Sequence, residues 1–136
     1  MKVNRAGDTP SKTVNPDWYT GTVWTKALAV GESTPPLNVV LATFVPGART
    51  AWHTHPFGQI LVAVSGTGRV QLAGEPARVL NSGDSVTIAP GERHWHGAGP
   101  EQVFAHISMQ GSTPDGTMAD WSDQVTDEEY RQPAQA

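Results

Sequence analysis

The 136-residue chain has no cysteine. That excludes disulfides and thiolate metal ligands, and it removes the usual mark of an oxidising compartment. It also has no basic run. Nine Lys and Arg stand against 13 Asp and Glu, for a formal charge of −4. A nucleic-acid partner calls for a basic stripe, so none is expected. No apolar run reaches the ~18 residues of a membrane span. The opening MKVNRAGDTPSK has no apolar stretch of the signal-peptide kind. The expectation is a soluble cytoplasmic protein with no membrane partner. There is no internal repeat, and the length suits one domain that buries roughly two thirds of its unfolded surface without a covalent staple.

What is abundant is turn chemistry. Fourteen Gly and 11 Pro are spread between short apolar runs. Such spacing points to many strands and an all-β domain. Residues 1–17 read as an extended arm. One strand is expected after Gly21, another over Asn38–Val45 and another over Gln59–Val64, the last two apolar on both faces as in sheets covered on both sides. SGTG at Ser65–Gly68 signals a hairpin, and Asn81-Ser82-Gly83-Asp84 a strong turn. PARVL, SVTIA, RHWHG and Gln102–Met109 supply further strands. The barrel is expected over 18–110 and a tail over 111–136. In that tail Thr126 stands three residues before Glu129, the capping-box spacing, so a short helix is expected over about 127–131. About eight short strands with close turns suit a small β-barrel or jelly roll.

Four of the five histidines fall in two HxH pairs, His53/His55 and His94/His96. In a strand, residues i and i+2 point to one face. Each pair therefore projects together. His106 shares its face with Phe104, Ser108 and Gln110. A lone buried histidine is more often a hydrogen-bonded core residue than a ligand. Two pairs in one β-rich interior are harder to satisfy, because each imidazole needs a partner once desolvated. A divalent metal satisfies several neutral imidazoles at once. Trp52 and Trp95 alternate with the histidines, so they are expected to pack outside the barrel.

These residues also form a familiar pattern. GARTAWHTHPFGQILVAVSG (47–66) resembles the first cupin motif through Gly47, His53, His55, Gln59 and Gly66, with Gln59 where Glu is usual. GDSVTIAPGERHWHGA (83–98) resembles the second through Gly83, Gly91 and His94, with Pro90 one place late and Ala98 where Asn is usual. The resemblance implies a six- to eight-stranded antiparallel barrel with a metal held by His53, His55, Gln59 and His94. PGARTAWHTHPFGQ, HWHG, the opening at Asp17–Val23 and the W…VTDEEYR tail are similar to a subgroup of small cupins. That subgroup includes bacterial manganese-dependent hydroxynitrile lyases and cupins found beside carboxymuconolactone decarboxylases.

The subgroup implies a metal-dependent lyase that cleaves or forms cyanohydrins, with Mn²⁺ favoured and Fe²⁺, Zn²⁺ or Ni²⁺ open. His96 or His106 would take the hydroxyl proton. His106 and Gln110 would hold the nitrile, and Thr50 would add a hydrogen bond. Val40, Ala42, Phe44 and Leu61 would form the apolar wall. Family habit implies a dimer or tetramer. Two other functions stay open: a dioxygenase-like oxidoreductase, and a barrel that binds a small ligand without catalysis. With an amide in place of a carboxylate, a site of neutral ligands leaves the ion its full charge, making it a stronger Lewis acid and a weaker-bound one.

Overall fold

Short extended runs bounded by glycine and proline become strands throughout the computed structural model, which describes residues 1–136. In chain order the strands are β1 (Lys12–Thr13), β2 (Tyr19–Thr20), β3 (Val23–Gly31), β4 (Leu37–Phe44), β5 (Arg49–Thr50), β6 (His53–Thr54) and β7 (Gln59–Ser65). There follow β8 (Thr67–Leu72), β9 (Ala77–Asn81), β10 (Ser85–Ile88), β11 (His94–Ala98), β12 (Phe104–Gly111), β13 (Asp120–Trp121) and β14 (Ala134–Gln135). A four-residue helix, α1 (Asp127–Tyr130), precedes β14. No helix is long and apolar enough to cross a membrane.

The strands form two sheets. One runs β1-β3-β4-β12-β7-β10; the other runs β13-β6-β11-β8-β9-β14, with β5 pairing β11 and β2. Pairs are antiparallel except β14 with β9. Several neighbours are remote in sequence: β12 lies between β4 and β7. This jelly-roll order lets the two sheets enclose one interior. The hairpin at Gly66 works because its φ is +73°, a conformation glycine adopts freely. A Cβ there would stand 1.9 Å from the Val103 carbonyl oxygen.

Period-two alternation sends Val23, Ala42, Phe44, Leu61, Ala63, Val70 and Phe104 inward into one apolar cluster. Full burial of a side chain such as Leu61 or Phe104 stabilises by about 1.5–3 kcal/mol. The cluster fills one end of the barrel only. Along β12 the apolar Phe104 gives way to buried His106, Ser108 and Gln110. The site begins where apolar packing stops.

The outer face of the first sheet departs from expectation. The apolar residues of β4 and β7 were expected to be covered on both sides. Ile60 and Val64 are instead 42% and 41% exposed, and Val39, Leu41, Val62, Ile107 and Met109 are half-buried. Nothing in the single chain packs over them.

The outer face of the second sheet is covered, by the tail. Trp52 and Trp95 lie outside the barrel with Ala77, Val125 and Tyr130. Buried Arg49 donates to the Val125 carbonyl and pairs with Asp127 at 2.8 Å. Tyr130 donates to the Ala98 carbonyl at 2.8 Å. The capping box forms, with Thr126 and Glu129 bonding each other's backbone. The N-terminal arm crosses the first sheet's edge: β1 pairs β3, and Thr9 donates to the Ala27 carbonyl at 2.7 Å.

Candidate metal centre

Four strands deliver the polar interior. β11 aims His94 and His96 inward, β6 aims His53, β12 aims His106 and Gln110, and β7 begins with Gln59; all are buried. His55 follows β6, and the turn after it is tight. Gly58 takes φ +75°, and a Cβ there would stand 2.6 Å from the Ile88 carbonyl oxygen. Only glycine lets this turn bring His55 and Gln59 back to the same interior. The His53 ring lies 4.3 Å from His94, 4.9 Å from His55 and 5.4 Å from His96, between centroids; His96 and His106 are 4.6 Å apart.

Burial sets their charge. Desolvation takes His94 and His106 down to about 4 and His55 below the usual histidine range. It takes His53 and His96 well below that range, with further lowering from His94 and His55 in the first case and His106 in the second. Each ring is therefore neutral at pH 7, with one N–H and one lone pair.

Their partners divide them into two kinds. Nδ1 of His53 donates to the Ala51 carbonyl at 2.9 Å, Nδ1 of His55 to Met118 at 2.7 Å, and Nδ1 of His94 to Glu92 at 2.8 Å. A carbonyl only accepts, so the proton sits on Nδ1 in all three. Each Nε2 then carries a lone pair and its ring is held in direction, the arrangement a metal ligand requires. His96 and His106 have no such anchor. They bond to each other, His106 Nε2 to His96 Nδ1, at 2.9 Å.

Two facts show that the interior suits a cation. His94 Nε2 faces Gln59 Oε1 at 3.1 Å, yet with its proton on Nδ1 both atoms are acceptors. His55 Nε2 is buried without any hydrogen-bond partner. A divalent ion satisfies such lone pairs together, and a neutral apolar filling satisfies none. Ring nitrogens of His53, His94 and His96 lie within 4.8 Å of one another. The interior therefore contains a histidine cluster suited to a divalent metal, to which His55 and Gln59 add further donors. Gln59 Nε2 in turn donates to Gln110 Oε1 at 3.1 Å, which fixes the amide so that its oxygen faces His94.

A cavity of 730 Å³ opens onto these groups. His53, His55, Gln59, His96, His106, Ser108 and Gln110 line it, as do Val40 and Ala42. Phe44 and Leu61 point inward as expected, but they are fully buried in the apolar cluster and do not line the cavity. Thr50 does not line it either; its Oγ accepts the His96 backbone N–H at 3.2 Å, behind the ring. The rest of the lining includes Pro10, Thr13 and Val14 of the arm, Trp18 and Tyr19 in the opening that carried part of the resemblance, and Met118 and Trp121 at the start of the tail. Burial raises the Tyr19 phenol to about 12, so it stays a neutral hydroxyl. Met118 acts through its backbone carbonyl, which no residue pattern records. Trp121 is paired with His53 across β13 and β6, a register that sequence spacing does not reveal.

The fold and this histidine interior define a cupin, and residues 40–105 match the cupin domain model. The chain belongs to the cupin family. It is 42% identical over 131 residues to the (R)-mandelonitrile lyase of Granulicella tundricola, covering 96% of this chain and 99% of that protein. The crystal structure of a cupin-like protein from Thermotoga maritima is 43% identical, with a TM-score of 0.80 over 88% of this chain and 90% of that one. A polyketide cyclase from Streptomyces resistomycificus shares the fold at 16% identity, with a TM-score of 0.73 over 96% and 90% of the two chains.

Proposed function

We propose that this protein is a metal-dependent hydroxynitrile lyase. The carrying observation is the 42% identity to (R)-mandelonitrile lyase across nearly both chains. The chemistry of the interior supports it. The proposed ligands are His53, His55, Gln59 and His94, and the proposed ion is Mn²⁺, which the resemblance to manganese-dependent hydroxynitrile lyases favours and an amide oxygen among imidazoles admits. When bound, a divalent ion supplies Lewis-acid polarisation of an oxygen and favours its deprotonated form.

The remaining groups supply proton handling and orientation. His96 and His106 share one proton across 2.9 Å. With that proton on His96 Nδ1, the outer nitrogen of His96 is a base. With it on His106 Nε2, the same nitrogen carries a proton. The pair can thus accept the cyanohydrin hydroxyl proton and later return it. As that proton leaves, the C–O bond becomes a carbonyl and the C–CN bond breaks with its electron pair on cyanide. Cyanide then takes the proton, so aldehyde and HCN leave. Gln110 has its oxygen engaged by Gln59 and one amide N–H turned to the Met118 sulfur at 4.0 Å, which leaves its other N–H to hold the nitrile nitrogen. Thr50 supports the His96 backbone. The 730 Å³ cavity accommodates an aromatic cyanohydrin.

The test is formation of mandelonitrile from benzaldehyde and cyanide without oxygen consumption, abolished by a chelator and restored by Mn²⁺. Metal-loaded protein that adds no cyanide but takes up O₂ with a catechol or diketone is an oxidoreductase instead. Metal-loaded protein that does neither is a ligand-binding barrel.

We also infer a homo-oligomer built on the outer face of the first sheet. Leu41, Ile107 and Val62 lie side by side across three strands, and Val39, Met109 and Ile60 form the next row. Monomers rarely expose contiguous apolar patches above a few hundred Å². Lys26, the cation of this region, is turned to the Thr9 carbonyl, which leaves little for a charged partner. A second copy related by a two-fold axis covers apolar with apolar. Ile60→Lys with Met109→Lys should sediment as a monomer; an unchanged oligomer contradicts this interface.

A further inference from the structure

Trp121 has no place in the chemistry above, yet its ring lies against His53 in the cavity wall. Its strand partner is His53: β13 pairs β6 with these two residues directly opposite, so their side chains stand on one face. The rings stack, with centroids 4.6 Å apart and planes 30° from parallel. On its other side Trp121 stacks on Trp18 at 5.2 Å and 4°, and it meets Tyr19 at 5.5 Å. Trp18, Tyr19, Trp121 and His53 all line the cavity.

The His53 ring has two restraints. Its Nδ1 bond to Ala51 fixes one atom. A single hydrogen bond still lets the ring rock about its long axis, which swings Nε2. A flat indole against the ring face removes that freedom. Three residues earlier the Met118 carbonyl holds His55. One short tail segment therefore orients two of the proposed ligands, although it lies more than 60 positions from both.

We propose that Trp121 is a positioning residue for the metal centre: its stack on His53 sets the direction of Nε2, and its stack on Trp18 ties that direction to the pocket rim. This rests on His53 being a ligand. Partners that orient ligating histidines typically change metal affinity by about 10–100-fold when removed. Trp121 is half-buried at a sheet edge, and β13 pairs through its backbone, so its side chain can be exchanged without removing a core residue.

The test is calorimetric titration of the metal-free full-length protein with Mn²⁺. Trp121→Leu keeps an apolar side chain but loses the aromatic face, and should weaken binding about 10-fold. Trp121→Phe should stay within about 3-fold of wild type, because it restores a flat face. Ser122→Ala removes a tail hydrogen bond to the Trp52 carbonyl. It serves as the control, lowering the melting temperature with Mn²⁺ affinity unchanged. Wild-type affinity in Trp121→Leu overturns the proposal, and so does equal weakening in Ser122→Ala, which would assign the effect to tail stability. If Trp121→Leu fails to fold, Trp18→Leu takes its place and should weaken Mn²⁺ binding by about 3-fold or more; no change there overturns the proposal. A wild-type chain that takes up no divalent ion overturns the metal reading itself.

Discussion

His53, His55 and His94 differ from His96 and His106 in what holds them. The first three are each tied through Nδ1 to a backbone carbonyl, and that fixes tautomer and direction. The other two hold each other across a single proton. All five are buried and neutral, so burial does not separate them. The partner does. An imidazole fixed by the backbone presents a constant lone pair, which suits holding an ion. Two imidazoles sharing a proton can exchange donor and acceptor roles, which suits catalysis.

The largest expected effect breaks the first group. His94→Ala or His53→Ala should lose bound metal and cyanohydrin activity together, with metal affinity down at least about 100-fold. Elemental analysis and a mandelonitrile assay check both. Breaking the second group should separate them. His106→Ala should keep its metal while the rate falls about 10²–10⁴-fold, the usual contribution of a positioned acid or base.

A smaller effect tests the amide. Gln59→Glu adds a negative charge beside the ion. Metal should bind more tightly, and the rate should fall about 10-fold as the ion's polarising field is reduced. Titration with Mn²⁺ and kcat measured at saturating metal check the two signs.

The smallest effect lies outside both groups. Arg49, by hydrogen bond and charge, holds the Asp127 carboxyl below its ordinary range, and the Thr126 backbone does the same for Glu129. Both carboxyls have depressed folded-state values. Their contribution to stability is present above the unfolded carboxylate range and is lost as pH falls through the folded values. Acid should therefore loosen the helix from Trp52 and Trp95 first. Asp127→Asn should show a slightly lower melting temperature at pH 7, a weaker pH dependence below pH 5, and unchanged metal content.

Much of the architecture was legible because strands alternate with a period of two. That period, applied to HTH and HWH, put His53, His55, His94 and His96 in one interior, and it also placed Trp52 and Trp95 outside. The capping spacing at Thr126–Glu129 located the helix. Depth was not legible. Phe44 and Leu61 have the expected direction, but they sit in the packed end and not on the cavity wall. Parity gives a face, whereas position along the barrel depends on how strands are staggered. Coverage was not legible either. QILVAV reads as a strand covered on both sides, and a single chain leaves Ile60 and Val64 half-exposed. The tail's part in the site left almost no signal, because Met118 acts through its carbonyl and Trp121 through a cross-strand pairing 68 residues from His53.

His96 carries the sharpest test of the two-group account. Its ring nitrogen lies with those of His53 and His94 within 4.8 Å, so distance alone would make it a ligand. In the proposed mechanism it is half of a proton pair with His106 instead, on the strength of their 2.9 Å bond. The decisive measurement is the metal content of purified His96→Ala alongside its rate of mandelonitrile formation. The account predicts wild-type metal content with the rate down at least about 100-fold. A His96→Ala protein that has lost its metal would place His96 among the ligands and contradict the division.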